Sequence, residues 1–189
     1  MGEDRIKSAR EIATERLANM PGLTPEELRE QREKEYAPRG TAIARRYLQG
    51  TLRSGELSAE LERYQGQEAE VVKRALLTTL CDSITSGDCD TSLKALDGIA
   101  ALAGEADLTG IRREVESLAA EHEERLRERR SVIERREKKK LSELGISGPA
   151  VRPNVSEGQE WLKESSQLQA AFGERAGAIR KSLLALFGL

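Results

Sequence analysis

The chain is poor in the residues that build catalytic centres. Its 189 residues hold one histidine, two cysteines and one tryptophan, and aromatics make up only 3%. A ligand pocket usually needs more aromatic and apolar bulk than this around its polar groups. No phosphate loop, dinucleotide fingerprint, HExxH or GxSxG occurs. No window of 18 apolar residues is present, so a membrane-spanning helix is excluded. The opening MGEDRIKSAREIATERLANM is charged throughout, unlike a secretory leader, and the expected location is the cytoplasm. Gly2 lacks the Ser or Thr at position 6 that myristoylation needs. In that setting Asn154-Val155-Ser156 matches a glycosylation acceptor by chance.

Two cysteines without a second pair make a poor zinc site. Cys81 and Cys89 are expected as free thiols, with Cys81 in the core. Asp82, Asp88 and Asp90 lack the oxygen ladder and terminal Glu of a calcium loop. No inward Glu-x-x-His pair of the di-iron type is found. No cofactor or metal is implied.

What the chain has is charge and helical spacing. Charged residues make up 34%, and Ala, Glu, Arg and Leu recur at helical intervals. Ile6, Ala9, Ala13, Leu17 and Met20 mark a first helix, stopped at Pro21-Gly22. Thr24-Pro25-Glu26-Glu27 restarts the helix through a capping box. Ala37-Pro38-Arg39-Gly40 is expected to break it, with a separate short helix over about 41–53. One longer helix is expected from about Ser58 to Thr85, closed by Gly87 in the left-handed region. Another covers 91–103 and ends at Gly104.

The most informative segment is 108–144. Ile111, His122, Ile133 and Leu144 recur every eleven residues, a stripe that stays nearly straight over about 55 Å. Ser156 and Gln159 suggest a second capping box ahead of a last helix at about 157–187. Laid antiparallel with an index sum near 301, the two helices pair Val115 with Leu186, Leu118 with Leu183, His122 with Ile179 and Ile133 with Leu168. The same sum sets Arg129 on Phe172 and Lys140 on Trp161. The expected fold class is all-α, a helical bundle with a long C-terminal antiparallel coiled-coil hairpin. Residues 1–106 form the short-helix region and 107–189 the hairpin, either as two units or as one continuous domain.

Function is read from two features. Residues 125–140 carry nine Lys or Arg and three Glu, a charge of +6, whereas residues 54–124 carry six basic and sixteen acidic residues, a charge of −10. The basic run is either a solvated helix exterior laced with i,i+4 pairs or a docking arm for an acidic surface. Arg129, Arg130, Arg135 and Arg136 are its candidate contacts. The loop ISGPAVRPNV offers Ile146, Val151, Arg152 and Asn154 as a partner-reading tip. Alternatively its apolar residues, Val155 included, fold back over Trp161. The expectation is a non-enzymatic interaction protein, an adaptor, assembly factor or chaperone-like scaffold. Its partner would be another protein or a second copy of itself as a homodimer. The alternative is a nucleic-acid- or ribosome-associated factor using the basic helix, although no aromatics interleave with the arginines and the pI is about 5.7. An activity built on His122 and Cys81 is a weaker third reading, since a general base needs a nucleophile or substrate within reach.

Overall fold

A computed structural model describes residues 24–104 and 107–189, together with Ser8. The helix expected over residues 3–20 therefore lies outside the described residues. Six α-helices and no strand occur among the described residues: α1 Pro25–Leu48, α2 Ser54–Leu61, α3 Gly66–Asp82, α4 Cys89–Ala103, α5 Thr109–Glu143 and α6 Gln159–Leu186.

Local chemistry sets most of the boundaries. The Glu27 amide donates to Thr24 Oγ1 at 3.2 Å, and the Thr24 amide donates to Glu27 Oε2 at 2.7 Å, so the α1 capping box forms as expected. Asp88 Oδ1 accepts from the Thr91 amide at 2.9 Å and starts α4. Gly104 and Gly145, at φ of +66° and +79°, sit just beyond α4 and α5 in the region where only glycine is unstrained.

Four expectations are corrected. Helix α1 runs unbroken through Pro38. Its packing on α3 outweighs the proline. Glu33 pairs with Arg74, the Tyr36 and Tyr64 rings meet edge to face at 6.3 Å, and Gly40, Ile43 and Ala44 are buried. Pro38 itself is exposed, so water can serve the Lys34 carbonyl that loses its helical donor. The expected 58–85 helix is two, α2 and α3, because Gly66 takes φ +55° and turns the chain between them. Gly87 does not close α3: Ser83 caps it in the right-handed region, and Gly87 is absent from the positive-φ glycines. No capping box forms at Ser156, because Gly158 occupies the cap of α6 and makes no side-chain bond.

One apolar cluster joins all six helices. Leu57, Leu76, Leu80, Leu96, Ile99 and Leu183 are buried to within 2%. Gly98 of α4 lies directly under Tyr47, whose hydroxyl donates to the Lys94 carbonyl at 2.9 Å. The Lys94 ammonium returns to the Leu48 carbonyl at 3.0 Å. Among the described residues, helix α5 touches only α4 and α6, and α6 touches only α3 and α5. The cluster takes in Val115, Leu118, Phe172, Ala176, Ile179 and Leu183 but not Ile133 or Val155. About 32 Å of α5 extends beyond His122, counting 1.5 Å per residue to Glu143.

Candidate functional site

The arm that α5 and α6 form beyond the core, with the loop between them, carries every partner-contact residue expected from the sequence, whereas Cys81 lies in the core on α3. Its contacts descend along one helix as they ascend the other: Glu121 with Arg175 at 2.8 Å, His122 with Phe172 at 4.9 Å between ring centres, Arg129 with Glu164 at 3.7 Å, and Arg136 with Glu160. These pairs add to 293–296, not 301. His122 consequently meets Phe172 where Ile179 was expected. Arg129 meets Glu164 where Phe172 was expected, and the cation over Phe172 is Arg175, at 5.2 Å. Lys140 pairs with Glu137 at 2.6 Å, where contact with Trp161 was expected.

The basic run is largely self-neutralised. Six of its nine cations pair with carboxylates: Arg125, Arg127, Arg129, Arg136, Lys138 and Lys140. Each exposed pair stabilises by about 0–1 kcal/mol, but each also quenches local field. Among the described residues, Arg130 hydrogen-bonds only the Ser156 hydroxyl, at 3.3 Å, and Arg135 only the Ser131 carbonyl of its own helix. Lys139 has no carboxylate partner among the described residues. Glu134 is held below the usual carboxylate range first by a hydrogen bond from Lys138, with Arg130 and Arg152 adding smaller attractions.

At the far end the loop splits between the two expected roles. Val155 is buried, and Val151 and Trp161 are half-buried. Ile146 stays 51% exposed, flanked by Leu144 at 75%, with Arg152 and Asn154 also exposed. Leu162 and Val132 on the adjoining helices add exposed apolar surface. Four of the seven large apolar side chains exposed among the described residues thus fall within 132–162, a concentration that isolated surface leucines do not produce. Leu144 was expected on the inner stripe but is exposed, because in the observed register it lies opposite the loop ahead of α6, which begins at Gln159; Leu162 was not singled out by its spacing.

At the near end of the arm an open cleft of about 430 Å³ lies between α4 and α5. Ser86, Cys89, Glu116, His122, Glu123 and Leu126 line it. His122 Nδ1 lies 3.0 Å from the Ser86 carbonyl. A carbonyl only accepts, so Nδ1 carries the proton, and Nε2 of the neutral ring is an acceptor. That atom is buried and has no partner among the described residues. The thiol at this cleft is Cys89, and Cys81 is not among the lining residues. Cys81 is fully buried, and burial pushes its thiol up to about 11, with Asp82 adding a smaller repulsion. The Cys89 thiol is also raised, first by burial and then by Asp90, Glu116 and Asp88. Both cysteines therefore stay as thiols near neutrality, a form in which they are weak nucleophiles. No group of three metal-ligating side chains occurs among the described residues, and no helix there is long and apolar enough to cross a membrane. No protein-family model matches the chain, and neither a curated protein nor a solved structure gives a match.

Proposed function

We propose that this chain is a non-enzymatic interaction module, an adaptor or scaffold. In this reading α5 and α6 form an antiparallel coiled-coil hairpin that presents its working surface to a protein partner. The module is one body with a projecting arm, and the work is done in the cytoplasm. The observation that carries the reading is the exposed apolar end of the arm. Leu144, Ile146 and Leu162 lie beyond the reach of the shared core, where a lone monomer gains nothing by keeping them apolar. Arg152 and Asn154 beside them supply polar contacts of the kind found at an interface rim.

The test is affinity purification with the full chain against a Leu144→Ser/Ile146→Ser variant. Both side chains are already solvated, so helicity and unfolding midpoint should hold within about 0.5 kcal/mol. Partner recovery should fall away. Unchanged recovery by the variant rejects the tip as the working surface. The nucleic-acid reading retains only Arg130, Arg135 and Lys139 as cations unpaired with a carboxylate, too few for the steep salt dependence of a backbone binder. It predicts salt-sensitive binding to RNA or DNA that reversal of those three charges removes.

A further inference from the structure

We draw no further inference here: the strongest candidate, the apolar patch of Leu144 and Ile146 at the loop end of the arm, belongs to the surface already described, and nothing in the structure shows what covers it.

Discussion

Replacing Gly40 by alanine should destabilise the protein, even though the site is mid-helix and alanine is the better helix former. Alanine gains about 1 kcal/mol in helix propensity over glycine. Here a Cβ would stand 2.9 Å from Ala75 Cβ and 3.0 Å from the Leu76 amide nitrogen, and closer still to the Val72 carbonyl oxygen. Ordinary contact between such atoms lies at about 3.5–4.0 Å. Two of the three obstacles are backbone and cannot rotate away, so α1 and α3 must separate and lose contact along their shared face. Overpacking of this kind costs about 1–3 kcal/mol, and a backbone clash belongs at the upper end. The net loss is about 2 kcal/mol, a fall of about 4–8 °C in Tm for a domain of this size. Pro38→Ala, two residues away, should act in the opposite sense. Pro38 is exposed in a helical backbone, and an alanine amide there restores the bond to the Lys34 carbonyl. About 3 kcal/mol of intrinsic helix penalty disappears, less about 0.4–1 kcal/mol for the freer unfolded chain. Urea denaturation followed by circular dichroism measures both. A Gly40→Ala protein as stable as the parent, or a Pro38→Ala protein no more stable, would refute the account of α1 as held straight by its packing on α3.

Three further outcomes follow from the same geometry. A thiol reagent near neutral pH should modify Cys89 slowly and Cys81 only after unfolding, since the Cys81 thiol is fully buried and raised to about 11; two equally fast thiols would contradict the burial. His122→Ala should cost about 2–3 kcal/mol through lost packing on Phe172 and the lost Ser86 bond, whereas His122→Leu should stay within about 1 kcal/mol, both read by thermal unfolding. Asp88→Ala should cost about 1 kcal/mol of α4 capping. The Asp88 carboxyl is lowered from 3.8 by its bonds with Thr91, so the cap contributes fully above that value and is lost as pH falls through the lower folded one. The gap between parent and variant should therefore close in acid, and a gap independent of pH would mean that the carboxylate does not cap.

The helical class, the α1 capping box, the glycine stop at 104 and the buried stripe of Val115, Leu118, His122 and Ile133 were legible because each depends on neighbours a few residues away. Pro38 misled because its local penalty, about 3 kcal/mol, is offset by tertiary contacts on both sides of it, Glu33 with Arg74 and Tyr36 with Tyr64 before it and the buried Gly40, Ile43, Ala44 and Tyr47 after it. The significance of Gly40 is likewise tertiary: nothing near it in the chain announces that Val72 and Leu76 cross there. The cleft could not be found from spacing, since Ser86 and Cys89 reach His122 from more than thirty residues away. Cys81 seemed the natural thiol for His122 on apolar context alone, and that same context is what buries it.

The register of α5 on α6 shows where apolar patterning runs out and charge takes over. The expected sum of 301 exceeds the observed His122–Phe172 sum of 294 by seven residues. Seven residues are two helical turns, so a slip of that size returns nearly the same face of each helix to the other. The apolar stripes suit either register, and so do some charges: near 301 Glu121 would face Arg180 and Arg127 would face Glu174. Arg129 and Lys140 tell the two apart, since near 301 they face a phenylalanine and a tryptophan. In the observed one, Glu121, Arg129 and Arg136 all meet opposite charges, on Arg175, Glu164 and Glu160. Each pair adds only about 0–1 kcal/mol, but register selection needs a difference between alternatives rather than a large sum. The same reasoning locates the unusual residues of the arm. Arg130, Arg135 and Lys139 lie in the segment whose other cations are consumed by this choice, and Leu144, Ile146 and Leu162 lie where the stripe has nothing left to bury it. Folding accounts for the paired charges and the buried stripe, and it does not require these six residues, of which the proposed interface would use the three apolar ones.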